Sequence, residues 1–159
     1  MKGILILFFS IAIGFSAMCQ TFKLTDIACD KATETHISYY YPLSSDAAKT
    51  QIVSLWGYQR YGNSWEDNCY EVEYYKGSPK EMIDFLTQLV KFAETYQNEN
   101  NIVTYISGVR VMQVKLSMFK GTVVYDKENK VRVSLTLDNL KKWLEASNKY
   151  FDENKILYQ

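Results

Sequence analysis

The chain predicts an α+β fold: a mainly antiparallel sheet of about six or seven strands with two amphipathic helices packed on one face. Three stretches carry that expectation. "CYEVEYYKG", Cys69 to Gly77, sets Tyr70, Val72 and Tyr74 against Glu71 and Glu73, the period-two alternation of a half-buried strand. "SPKE" follows at once, and beyond it Met82, Phe85, Leu86, Leu89, Ala93 and Tyr96 recur at helical spacing. "TVVYDKENKVRVSLT" reads as two strands around the turn Asp126–Lys130, which makes them antiparallel neighbours.

The N-terminus comes first in chain order. Lys2 precedes "ILILFFSIAIGF", Ile4 to Phe15, which has the charge and apolar run of a secretory leader. As a helix this run spans about 18 Å, short of the roughly 30 Å hydrocarbon core, so it does not predict a lasting membrane anchor. Ala17 and Cys19 supply the small side chains that a signal peptidase needs at the third and first positions before its cut. Residues 1–19 are therefore expected to be removed, leaving 20–159 as a single α+β domain. A lipoprotein signal would instead be cut before Cys19, which would carry the lipid; Ser16 and Met18 stand where such signals carry leucine and a small residue.

Loss of Cys19 leaves Cys29 and Cys69, and an oxidising compartment would join two cysteines as one disulfide. That bridge would close a loop of about 40 residues and stabilise the fold by about 4 kcal/mol in the chain-entropy picture. The competing state is a pair of free thiols packed as small hydrophobes.

Phe22–Ala28 and Glu34–Tyr41 read as strands, the second with Ile37, Tyr39 and Tyr41 on one face and His36, Ser38 and Tyr40 on the other. Pro42 ends it. Gln51–Tyr58 suits a strand, although residues 47–56 also fit a short helix, and 58–68 reads as loop. Ser78 is placed to N-cap the first helix, with Pro79 at its first position and Glu81 completing a capping box. Asp84, Gln88, Lys91 and Thr95 mark its wet side, and "QNENN" stops it.

Ile102–Ser107 predicts another strand, turning at Gly108. After it the apolar positions shift from 109 and 111 to 112, 114, 116 and 118, a slip that predicts a β-bulge. Thr136 or Asp138 caps the last helix, with Leu140, Leu144 and Phe151 inward and Glu145–Lys149 as an exposed pair. Strand, cap and helix thus occur twice, at 69–97 and 131–151, with too few matching residues to establish a duplication.

Composition excludes some functions. Eighteen basic residues face eighteen acidic ones, so no electrostatic footprint for nucleic acid or an anionic membrane surface exists. His36 is the lone histidine, and any triad or histidine-based zinc site would have to use it. Strand alternation instead turns it away from the Ile37 and Tyr39 face, to a surface or rim. Glu66, Asp67, Glu71 and Glu73 gather carboxylates that could serve glycoside hydrolysis or calcium, but Glu71 and Glu73 have the spacing of a strand's solvent face.

Aromatic side chains carry the functional expectation. Thirteen tyrosines occur, and Tyr39–Tyr41, Trp56, Tyr58, Tyr61 and Trp65 fall close together. Tyr58, Tyr61 and Trp65 are the expected binding residues, because such rings cover area at little entropic cost and keep a polar tip. No phosphate-binding glycine loop, nucleophile elbow, CxxC or HExxH is present. The expectation is an exported protein, secreted or periplasmic in a bacterium, that binds a protein or carbohydrate ligand without catalysis, cofactor or metal. One rival is a small envelope hydrolase using the carboxylate cluster, which requires those groups and His36 to converge. Another is a structural subunit of an envelope assembly, which requires an open sheet edge or a large apolar patch.

Overall fold

The structure is a computed structural model, and it describes residues 22–42, 51–60, 69–117 and 119–156. Among the described residues, eight strands and two helices follow in the order ββββα, ββββα. The first half comprises β1 (Phe22–Asp30), β2 (Thr35–Pro42), β3 (Ile52–Arg60), β4 (Cys69–Gly77) and α1 (Pro79–Tyr96). The second comprises β5 (Ile102–Ile106), β6 (Val109–Lys115), β7 (Lys120–Tyr125), β8 (Arg132–Leu135) and α2 (Leu137–Glu153). Each set of four strands is an antiparallel meander, β1-β2-β3-β4 and β5-β6-β7-β8. The α+β class holds, but the single sheet expected from the sequence is two four-stranded sheets. The α1 helix interrupts strand pairing between β4 and β5, so the ladder stops and restarts.

The helix ends form as the sequence dictates. Ser78 Oγ accepts the Glu81 backbone N–H at 3.3 Å, and the Glu81 carboxylate accepts the Ser78 N–H at 2.7 Å. Thr136 Oγ1 caps α2 by accepting from the Asn139 N–H at 3.2 Å. Met82, Phe85, Leu89 and Ala93 stand at the same offsets from their cap as Leu140, Trp143, Ser147 and Phe151 from theirs, and all eight are buried. Trp143 and Ser147 therefore join the inner face expected of α2, while Leu144 is half-buried. Lys149 lies 3.8 Å from Glu153.

One hydrophobic cluster joins both sheets and both helices, from Ile37, Leu55 and Tyr74 through Phe85 and Leu89 to Val111, Leu135, Trp143 and Phe151. The helices pack on each other; α1 touches β3, β4, β5 and β7, and α2 lies against β1. Tyr75 stacks on Phe85 with ring centroids 4.0 Å apart, and Tyr39 meets Phe151 edge-on at 6.2 Å. Asn139 Nδ2 donates to Asp30 Oδ2 at 2.7 Å and so fastens the start of α2 to the end of β1.

The bulges fall elsewhere than expected. The register of β6 is unbroken against both neighbours, and Val109, Val111 and Gln113 all face inward. Gln113 is buried because its side-chain oxygen accepts the Thr122 hydroxyl at 2.9 Å, so a polar residue occupies a core position. The irregularities lie in β1, between Asp26 and Ala28, and in the β3–β4 pairing beside Leu55, where Tyr74 is the extra residue. That extra residue turns a fully buried tyrosine ring into the core.

The expected Cys29–Cys69 disulfide is not made. Cys29 is a free, exposed thiol. β1 and β4, which carry the two cysteines, are the opposite outer strands of the first sheet. Three strand spacings of about 4.8 Å separate such strands, roughly 14 Å, whereas a bridge needs Cα atoms within about 7 Å.

Candidate functional site

One face of the first sheet belongs to the core, and the other carries Asp26, Cys29, His36, Ser38, Trp56 and Glu73. Register builds that outer face in rows. Cys29, His36, Trp56 and Glu73 form one row, Asp26, Ser38, Ser54 and Lys76 the next, and Tyr58 stands opposite Glu71. His36 lies away from Ile37 and Tyr39, as alternation predicts; its side chain is 23% exposed.

Three aromatic rings are piled on this face. His36 stacks on Trp56 with centroids 4.7 Å apart and planes 13° from parallel. Tyr58 meets Trp56 edge-on at 5.1 Å and His36 at 6.4 Å. Trp56 is buried, whereas Tyr58 is 38% exposed and presents the pile to solvent. Such edge-on and stacked pairs add about 0.5–1.5 kcal/mol each beyond the area they bury.

A polar network holds the pile from beneath. Ser38 Oγ, fully buried, accepts the Trp56 indole N–H at 2.8 Å and donates to Asp26 Oδ1 at 2.5 Å. The other carboxylate oxygen of Asp26 lies 3.3 Å from His36 Nδ1, without the alignment of a directed hydrogen bond. Ser38 thus commits both its proton and its acceptor to neighbours. A hydroxyl so placed positions an indole; attack on a substrate needs an exposed oxygen beside a base.

Beside the pile lies a cleft of about 410 Å³ between β4 and the β7–β8 turn, lined by Tyr70, Glu71, Glu73, Asp126, Lys127 and Lys130 among others. Asp126 shapes the turn by accepting the backbone N–H groups of Lys130 at 2.7 Å and Val131 at 3.1 Å. Glu73 lies 3.6 Å from Lys76 and 3.7 Å from Lys127, and it accepts the Ser54 hydroxyl at 3.3 Å. Glu71 is exposed and makes no ion pair among the described residues. Burial, reinforced by the negative charges of Glu71, Glu73 and Asp26, raises the Tyr40 phenol above its ordinary value. Carboxylates thus stand beside the rings on this face, with Lys76 and Lys127 set against Glu73.

Of the expected binding residues, Tyr58 is on this face, on β3 rather than in a loop. Tyr61 and Trp65 lie outside the described residues, as do Glu66 and Asp67. Glu71 and Glu73 share the cleft, and His36 stands in the Glu73 row with Trp56 between them. Among the described residues no three His, Cys, Asp or Glu side chains are grouped to hold a metal ion. No helix among them is long and apolar enough to cross a membrane.

Sequence reading missed Asp26 and Ser38. A serine amid apolar strand residues at Ser38, matched by an aspartate in the preceding strand, is the only local signal they leave.

No protein-family model, curated protein or solved structure matches the chain.

Proposed function

We propose that the protein is an exported, non-catalytic binding module whose recognition surface is the outer face of its first sheet. The His36–Trp56–Tyr58 pile carries this reading: three rings fixed by a buried serine, with one edge open to solvent. A locked, partly exposed aromatic platform covers ligand area with little ordering cost. Glu71, directly across from Tyr58, adds carboxylate acceptors, and Lys127 and Lys130 add donors at the cleft. Rings beside mixed acceptors and donors suit a hydroxyl-bearing ring such as a sugar, whose C–H face stacks while its rim takes hydrogen bonds. The apolar leader Ile4–Phe15 supports delivery of such a module outside the cytoplasm, where glycans are displayed.

Binding to an array of soluble oligosaccharides tests this, with the wild type and Tyr58→Ala side by side. The expected result is retained binding in the wild type and a loss of about tenfold or more in the variant, the size of a central aromatic contact. Wild-type binding that Tyr58→Ala leaves unchanged, or cleavage of the bound oligosaccharide, overturns the reading.

A further inference from the structure

The two sheets have four outer strands, β1, β4, β5 and β8. Open edges invite pairing with other strands, and proteins blunt them with charge, proline, bulges or short length. Three edges here are blunted. β1 carries a bulge beside Asp26 and is clasped at Asp30 by Asn139. β4 carries the extra residue Tyr74 together with Glu71, Glu73 and Lys76. β8 is only four residues long and begins with Arg132.

β5, one residue longer than β8, lacks charge, proline and bulge. It reads "IVTYI", without charge or proline, and its register with β6 is regular from Ile102 to Ile106. Among the described residues, no backbone group of Ile102–Ile106 hydrogen-bonds outside the sheet. Tyr105 is 67% exposed and Val103 45%.

We propose that β5 is the pairing edge between two copies of this chain, joined antiparallel so that their second sheets form one continuous eight-stranded sheet. The strand is self-complementary about Thr104. In an antiparallel two-fold pair Val103 falls opposite Tyr105 of the second copy, Ile102 opposite its Ile106, and Thr104 opposite Thr104. Each is a favourable cross-strand combination of aromatic with β-branched, β-branched with β-branched, or threonine with threonine. Two-fold symmetry imposes this reciprocity on any strand, and here each pair that it imposes is a favourable one. Charge raises no barrier, because the chain is formally neutral and the strand itself has no ionised side chain. Nearby Arg110 is held over the Tyr125 ring at 4.6 Å. Pairing also extends the outer face of the second sheet, on which Val123 and Tyr125 are already buried. Five residues per copy make a small interface, so the dimer is weak and concentration-dependent.

Sedimentation equilibrium of the protein as purified from the cells that make it, run from about 5 µM to about 500 µM, suits a contact below the area of stable complexes. The wild type is expected to approach twice the monomer mass at the upper end. Val103→Lys and Tyr105→Lys, both at exposed positions, are expected to stay at monomer mass with unchanged circular dichroism. Amide exchange gives a second reading, slowing in 103–105 of the wild type as concentration rises. A wild type that remains monomeric throughout, or lysine variants that associate as the wild type does, overturns the proposal.

Discussion

Trp56 and Ser38 are joined by a buried hydrogen bond, indole N–H to hydroxyl oxygen at 2.8 Å, that crosses from β3 to β2 on the outer face of the first sheet. Ser38→Ala removes the acceptor and leaves a shielded N–H unpaired, a loss of about 1–3 kcal/mol. Trp56→Phe removes the donor as well as some packing. The double variant is expected to cost less than the two singles together by about 1 kcal/mol, the coupling of one buried bond. Urea unfolding of all four proteins measures this, and strictly additive costs would show that the bond contributes nothing.

Ser147 poses the opposite case. Its hydroxyl oxygen is buried on the inner side of α2 and has no hydrogen-bond partner among the described residues. The matching position in α1 is Leu89. Ser147→Ala is expected to raise stability by about 1 kcal/mol, because it removes a buried hydroxyl that has no partner and leaves the β-carbon as a methyl group. Thermal and urea unfolding should agree on the sign, and a destabilised variant refutes this account of the site.

Acid should weaken the first helix cap. The Ser78 backbone N–H, followed by the Ser78 side chain, holds the Glu81 carboxyl below its ordinary range. A carboxyl lowered in the folded state stabilises it above the unfolded-state pKa, and this is lost as pH falls through the lower folded value. Wild type is therefore expected to exceed Glu81→Gln in stability at neutral pH. The gap should close below about pH 4, where the unfolded carboxyl is protonated and the folded one follows. Urea midpoints measured from pH 7 down to pH 3 check it; a gap that does not change with pH excludes the carboxylate as its source.

What could be read from the residues was mostly local. Ser78, Pro79 and Glu81 lie within one turn, so their capping box needs no knowledge of the rest of the fold. Alternation likewise placed His36 opposite Ile37 and Tyr39, since neighbours along a strand point to opposite faces. Gln113 defeated the same rule, because its polarity is satisfied by Thr122 across the sheet, a partner no period reveals. The division into two sheets also lies beyond local pattern, being set by which strands find each other. Asp26, Ser38 and Trp56 belong to three strands, and the bulge after Asp26 sets how β1 lines up with β2. Only the assembled register shows that they meet.

The clasp between Asn139 and Asp30 has a consequence for truncated chains. Asp30 ends the first described strand and Asn139 stands in the last described helix, 109 residues further along the chain. The contact forms only once Asn139 is present, so a chain cut short before α2 leaves the end of β1 without this fastening, although β1 to β4 can still pair.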